Sequence, residues 1–282
     1  MIEGAEERPP RFPRIWPSLA AMGIAPVAAF LVSAFALVMP YVLAGTPEYE
    51  EWLVGFATSF RGILTLVLPG QVIFLGIAIG GALLSPEPLR RRLGLVAPRV
   101  PLLLLLPIIA ATFAVNALGQ LLASLAFPEP TEHVRWLENL FGDVHGPLAI
   151  WLLFFFSVPP GFCEELLFRG YVLGRLLTRW PAVPAIALTS FVFALMHFDP
   201  MHALGVLPLS IWLGVVLWGT HSVWPCIACH VFNNAVAVSL SRVDVESDVA
   251  AGAIHAGMIL CFLSLLAALP ILWRGARSAA PD

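Results

Sequence analysis

The chain contains 282 residues, of which 59% are hydrophobic and only 12% are charged, and its mean hydropathy is +0.88. A water-soluble domain needs more polar surface than this composition provides, so the sequence predicts a membrane protein. The net charge of -3 offers no basic surface for nucleic acid. We therefore expect an all-α polytopic helical bundle in the lipid bilayer, without a nucleic-acid partner.

Stretches of about twenty apolar residues predict the membrane helices. Clear candidates lie at about 19–44, 62–84, 101–127 and 250–273, and a crowded apolar block occupies 147–240. Turn residues divide this block into core helices at about 162–179, 182–198, 202–218 and 222–240, after a half-length lead-in, "PLAIWLLFFFSV". The sequence thus predicts about eight transmembrane helices, of which four form the core.

Pro159, Pro160 and Gly161 are expected to separate the lead-in from the first core helix. A proline inside a helix removes one N–H donor and clashes with the preceding turn. An unbroken helix would also have a length of about 45 Å, well beyond what a bilayer core requires. The sequence therefore predicts a chain break just before Glu164.

The arginines divide unevenly between the two sides of the predicted membrane. If the N-terminus is cytoplasmic, eleven arginines face the cytoplasm: Arg8, Arg11, Arg14, Arg90, Arg91, Arg92, Arg99, Arg175, Arg179, Arg274 and Arg277. Only Arg61, Arg135 and Arg242 face the other side. The positive-inside rule then predicts an integral membrane protein with both termini in the cytoplasm. We expect no cleaved signal peptide.

The stretch "PPGFCEELLFRG" places two adjacent carboxylates, Glu164 and Glu165, in an apolar region. A charged side chain at the centre of a bilayer costs about 2.5 to 3.5 kcal/mol on insertion scales, so the pair needs compensation. Arg169 lies four residues after Glu165, on the same helical face, and can form an ion pair with it. Glu164 points about 100° away and must find another partner. Both glutamates could still be purely structural.

Three further polar residues favour a chemical role. His197 ends "FVFALMH", and His230 begins "HVFNNA", in which Asn234 lies one turn later on the same face. With Pro181 as the turn of a helical hairpin, Glu164 and His197 lie at nearly the same depth. A carboxylate, two imidazoles and a carboxamide in an apolar cavity could activate water and stabilise an oxyanion.

Three motifs occur here in order: "EELLFR" as E-E-x-x-x-R, "FALMH" as F-x-x-x-H, and "HVFNN" as H-x-x-x-N. In these motifs the chain resembles the CAAX protease and bacteriocin-processing family of intramembrane endopeptidases, and it looks like a bacterial member. The resemblance therefore implies a location in the bacterial inner (cell) membrane. The resemblance implies that Glu164 is the general base on water and that Glu165 and Arg169 support it. It implies that His197 also positions the water, and that His230 and Asn234 form the oxyanion hole.

The resemblance also implies a division of the chain into three parts. Residues 1–146 would form an N-terminal membrane region with three transmembrane helices, 147–240 the catalytic membrane core, and 241–282 a C-terminal transmembrane helix and short tail. The expected substrate is a membrane-associated protein or peptide, whose sequence these residues do not specify.

A metal remains possible at this site. Glu164, His197 and His230 form a candidate zinc set of the His₂Glu type. The sequence lacks H-E-x-x-H, however, and a glutamate-dependent site without metal explains Arg169 and Asn234 more economically, so no cofactor is expected.

Two other patterns compete with this interpretation. "CIACH" fits the C-x-x-C-H pattern of haem attachment, but it begins an apolar helix, so no haem is expected. The alternative function is a non-catalytic membrane protein, such as a transporter, a proton relay or an immunity-type binder, that uses the same polar cluster.

Overall fold

The computed structural model describes residues 14–45, 49–242 and 248–277. Within these ranges the chain is helical and contains no strand, which confirms the all-α class. The helices are α1 (Trp16–Ala44), α2 (Tyr49–Ala57), α3 (Phe60–Leu83), α4 (Leu89–Arg92), α5 (Leu105–Ala126), α6 (Glu132–Asp143), α7 (Pro147–Glu165), α8 (Gly174–Leu176), α9 (Ala182–Leu195), α10 (Pro200–Thr220), α11 (Val223–Leu240) and α12 (Asp248–Arg277). A π-helical segment, Leu166–Leu173, joins α7 to α8.

Seven helical stretches in the described part of the chain are long and apolar enough to cross a membrane. They are Trp16–Leu43, Phe60–Leu83, Leu102–Ala126, Pro147–Leu176, Pro200–Thr220, Val223–Leu240 and Ile254–Arg277. This finding confirms the polytopic membrane bundle. About eight were predicted, and the predicted span 182–198 is not among the seven, because α9 has only 14 residues. A turn at His197 and Phe198 ends it, and Phe198 adopts a left-handed φ of 55° there.

The predicted chain break at Pro159, Pro160 and Gly161 is wrong. Helix α7 runs through all three residues and continues through the π-helical segment to Leu176. The lead-in and the first core helix therefore form one helix of 30 residues. The physical reason lies in a neighbouring helix, which supplies a hydrogen-bond donor that Pro160 lacks.

The π-helical segment lies at the centre of the bundle, and every one of its residues is buried. Helices α3 and α11 pack along α7, while α9 and α10 contact the π-helical segment. Apolar side chains cover the outer surfaces of the helices, as at Leu31, Phe35 and Leu263. In a membrane protein these exposed groups face lipid, so the polar residues of the centre lie inside a helical shell.

Candidate active site

A cavity of about 330 Å³ lies between α5, α6, α7, α10 and α11. Four of the predicted site residues line it: Glu164, His197, His230 and Asn234. Glu164 comes from α7, His197 follows α9, and the other two lie one turn apart on α11. The fold therefore brings together side chains that are up to 70 positions apart in the sequence. Glu165 and Arg169 lie behind this cavity rather than in its wall.

Gly161 allows α7 and α11 to approach closely. A Cβ atom at this position would lie 2.6 Å from Val231 Cγ2 and 2.9 Å from the Val231 backbone nitrogen. Only glycine fits such an approach without displacement of the neighbouring backbone. Because Val231 follows His230, this contact sets the distance between the glutamates of α7 and the polar residues of α11.

Pro160 creates an acceptor that Asn234 uses. In an uninterrupted helix the Phe156 carbonyl would accept from the backbone N–H at position 160, but proline has none. The Asn234 Nδ2 atom donates to the Phe156 oxygen at 3.1 Å instead. This hydrogen bond compensates the missing helical one and fixes the orientation of the Asn234 carboxamide.

Glu164 is held by a residue that sequence reasoning did not identify. Gln71 Nε2, on α3, donates to Glu164 Oε1 at 2.9 Å, and both side chains are buried. Gln71 lies 93 positions before Glu164, in the region 1–146. The sequence offered one signal for this contact: a polar glutamine in the middle of an apolar span. Buried polar residues in membranes are usually paired, so Gln71 was expected to have a partner.

Glu165, Arg169 and His230 form a buried ionic cluster. Glu165 Oε1 lies 2.9 Å from Arg169 Nη1 and 2.8 Å from His230 Nδ1. Arg169 Nη2 also donates to the backbone oxygen and to Oγ of Ser210, at 2.8 Å each. The guanidinium lies over the Phe193 ring, 4.5 Å from its centroid. The predicted pair of Glu165 and Arg169 is thus present, and it extends to His230.

The cluster determines what His230 can do. With Nδ1 occupied by a carboxylate, the ring has Nε2 left for a ligand in the cavity. The carboxylate only accepts, so Nδ1 carries a hydrogen; Nε2 is a donor in the protonated ring and an acceptor in the neutral one. His230 can therefore stabilise negative charge in its protonated form.

His197 is also held through its Nδ1 atom. Its Nδ1 atom lies 3.1 Å from the Phe193 oxygen and 3.3 Å from the Ala194 oxygen. Carbonyl oxygens only accept, so Nδ1 carries the hydrogen and Nε2 of the neutral ring is an acceptor. His197 is therefore suited to accept a hydrogen bond from water.

Two further histidines extend from His197 towards the surface. The His197 and His202 ring centroids lie 4.6 Å apart, and those of His202 and His133 lie 5.7 Å apart. His133 is an exposed residue of α6. Both additional histidines line the cavity, and none of the three sequence motifs includes them.

The candidate zinc set of Glu164, His197 and His230 is not drawn together as a group of metal ligands in the described part of the chain. Across residues 14–45, 49–242 and 248–277, no three His, Cys, Asp or Glu side chains are grouped as metal ligands. One Glu164 oxygen accepts from Gln71, and His230 Nδ1 contacts Glu165. Cys226 and Cys229 of the C-x-x-C-H pattern are fully buried in α11, away from any exposed loop.

Asp199, which lies between His197 and His202, has a structural role. Asp199 precedes α10, and its Oδ1 atom accepts from the His202 backbone N–H at 2.7 Å. The carboxylate thereby satisfies one of the free donors at the helix N-terminus.

The fold and the site together define a class: a polytopic helical membrane protein with carboxylates and imidazoles around an internal polar cavity. Residues 146–236 match a family described as type II CAAX prenyl endopeptidase, Rce1-like. The match confirms the predicted resemblance over this segment, which contains all three motifs. No curated protein and no solved structure matches the chain.

Proposed function

We propose that the protein is an intramembrane endopeptidase that hydrolyses a peptide bond of a membrane-associated protein or peptide. The observation that carries this proposal is the common cavity of Glu164, His197, His230 and Asn234 inside a membrane bundle. The family of residues 146–236 supports protease chemistry in general. We further propose that residues 147–240 are the catalytic core.

Glu164 is the general base in this proposal. Its Oε1 atom accepts from Gln71, so Oε2 is left to take a proton from water. His197 Nε2 accepts the second hydrogen of the same water and so directs its oxygen towards the substrate carbonyl. Gln71 acts as a positioning residue, because it holds the carboxylate without contact to the reacting atoms.

His230 and Asn234 stabilise the oxyanion. As the water oxygen bonds to the carbonyl carbon, negative charge develops on the carbonyl oxygen and is met by His230 Nε2–H and by the second N–H of the Asn234 carboxamide. Glu165 and Arg169 support the charge and orientation of His230. When the C–N bond breaks, protonated Glu164 gives its proton to the leaving amine.

The mechanism uses only side chains and water, and we propose that it requires no metal. Arg169 and Asn234 support this view, because each has a defined hydrogen-bonding role in a site that acts through side chains and water alone. Sensitivity of the cleavage rate to a zinc chelator tests this view directly.

An apolar groove of about 310 Å³ offers the substrate a route from the lipid. It lies between α1, α3 and α7, and it is lined by Phe30, Leu66 and Phe74 among others. Glu164 and His197 line this groove as well as the cavity. A substrate anchored in the membrane could therefore reach the two water-activating residues sideways, without leaving the bilayer.

The orientation in the membrane follows from charge. We propose that both termini face the cytoplasm of a bacterial cell, because the predicted loops then hold eleven arginines on the cytoplasmic side and three on the other. This even number of crossings requires the short apolar helix α9 to cross together with the seven candidate spans. Cysteine substitutions at Arg90 and Arg135, labelled from outside intact cells, test the proposal. Label is expected at position 135 only, and label at position 90 alone would reverse the topology.

The function can be tested before the substrate is identified. Membrane proteomes of cells that produce wild type or Glu164→Gln are compared for new peptide termini, with Glu138→Gln, an exposed glutamate of α6, as matched control. We expect termini that appear with wild type and the control but not with Glu164→Gln. Identical termini in all three strains, with equal amounts of protein, would argue against a protease.

A further inference from the structure

A second cavity, of about 500 Å³, lies at the end of the bundle where α8, α10 and α12 finish. It is lined by Arg91 and Arg92 of α4, by Arg175 of α8, and by Trp180 and Trp218 near the adjoining helix ends. Glu87 is the acidic side chain in its wall. The mechanism proposed above makes no use of this cavity.

Arg175 is buried here with incomplete hydrogen bonding. The side chain is only 3% exposed; Nη1 donates to Glu87 at 2.9 Å and Nη2 to Ser85 Oγ at 3.2 Å. Its Nε atom is buried and finds no hydrogen-bond partner within the described ranges. A buried N–H without a partner is costly, typically by about 1 to 3 kcal/mol, and indicates a missing acceptor.

Arg92 lies next to Arg175 and is also buried, with 5% exposure. It donates to the Tyr171 backbone oxygen at 2.7 Å and to Ser18 Oγ at 2.9 Å, and both acceptors are uncharged. Burial, followed by repulsion from Arg175, lowers the pKa of Arg92 to about 10. Two buried guanidinium groups therefore share one partly exposed carboxylate, that of Glu87.

The fourth arginine in the wall of this cavity, Arg169, does not add to the unbalanced positive charge. Arg169 lines the cavity, but Glu165 neutralises its charge at 2.9 Å. Arg91 is exposed and lies at the mouth. The cavity thus carries an excess of positive charge, with its most buried free donor on Arg175.

The surroundings favour a ligand from the membrane surface. Most of the arginines predicted to face the cytoplasm belong to segments that end here, and tryptophans such as Trp180 and Trp218 are enriched at the level of the lipid headgroups. Phosphate groups lie at that level, and arginine binds phosphate through charge-assisted hydrogen bonds.

We propose that this cavity binds a phosphate group, either that of an anionic lipid headgroup or free phosphate. The phosphate oxygens accept from Arg175 Nε–H and from Arg91, and they supply the negative charge that Arg92 and Arg175 lack.

Native mass spectrometry of the purified full-length protein in detergent tests the site. Binding of phosphatidylglycerol is compared with that of phosphatidylcholine, and inorganic phosphate is added as competitor. Arg91→Gln removes a charge at the mouth of the cavity. Arg90→Gln removes the neighbouring exposed charge on α4, which does not line the cavity, and is the matched control. Melting temperatures verify that both variants are folded.

We expect phosphatidylglycerol to bind at least tenfold more tightly than phosphatidylcholine. Arg91→Gln should weaken it about tenfold, as expected for one charge-assisted hydrogen bond, and Arg90→Gln by less than about twofold. Competition by millimolar phosphate would identify free phosphate as a ligand, and its absence would identify the lipid. Equal binding of both lipids without a phosphate effect, or equal losses in both variants, would overturn the proposal.

Discussion

Replacement of Arg169 by methionine tests whether the buried ionic cluster maintains the site. Arg169 is 2% exposed and its partner Glu165 is fully buried. Arg169→Met therefore leaves the buried Glu165 carboxylate without its arginine partner. Loss of one member of a buried ion pair costs about 3 to 5 kcal/mol. Such a loss is a large part of the roughly 5 to 15 kcal/mol that stabilises a typical domain. We expect a fall in melting temperature on the order of 10 °C.

A thiol-reactive fluorogenic dye provides the assay. Cys163, Cys226 and Cys229 are buried, so they react with the dye only when the bundle unfolds. The half-exposed Cys261 is replaced by serine in every variant to lower the background. Arg90→Met, at an exposed arginine, serves as the matched control and should melt within about 2 °C of wild type, as is usual for surface substitutions.

The double variant Glu165→Gln/Arg169→Met separates charge from packing. It removes both charges together, and replacement of a complete buried pair is often nearly neutral. We expect most of the lost melting temperature to return, while peptide cleavage stays low because His230 Nδ1 no longer meets a carboxylate. The reasoning is refuted if Arg169→Met melts like wild type, or if the double variant melts no higher than the single one.

Three further changes test individual contacts of the candidate site. Gln71→Leu removes the donor to Glu164 and should lower kcat/KM about 10- to 100-fold, the kinetic equivalent of a hydrogen bond to a charged group; an unchanged value would exclude a positioning role. Asn234→Leu should lower kcat about 10²- to 10³-fold and cost about 1 to 3 kcal/mol of stability. Addition of Pro160→Ala, which restores a donor for the Phe156 oxygen, should recover the stability but not the activity. Incubation with a zinc chelator should leave cleavage within about twofold of its starting rate, whereas a loss that added zinc reverses would establish a metalloenzyme.

Much of the fold could be predicted because its signals are local. Apolar stretches identified six of the seven candidate spans of the described residues, since the bilayer requires long uncharged helices; the seventh, Pro147–Leu176, was wrongly divided at its prolines. Pro181 indicated the hairpin that brings Glu164 and His197 to the same depth, and helical periodicity placed His230 and Asn234 on one face. The spacing of Glu165 and Arg169 likewise indicated their ion pair, which the structure contains.

The remaining features depend on contacts between distant segments. Pro160 suggested a break in the helix because proline leaves the Phe156 carbonyl without its helical donor. In the structure Asn234, from a distant segment, donates to that carbonyl instead. Gln71 belongs to no local pattern that indicates a contact with Glu164. The contact between Glu165 and His230 joins residues that are 65 positions apart in the sequence. Helical spacing predicts only contacts within one helix.

The most direct test of the central claim is the single-turnover cleavage rate of purified Glu164→Gln in liposomes, on a substrate identified from the membrane proteome. Gln keeps the shape of the side chain but cannot take a proton from water. We predict a rate at least 10²- to 10⁴-fold below that of wild type, the usual contribution of a general base, at an unchanged melting temperature. A folded Glu164→Gln protein that cleaves within about threefold of the wild-type rate would contradict the proposed role of Glu164 as general base.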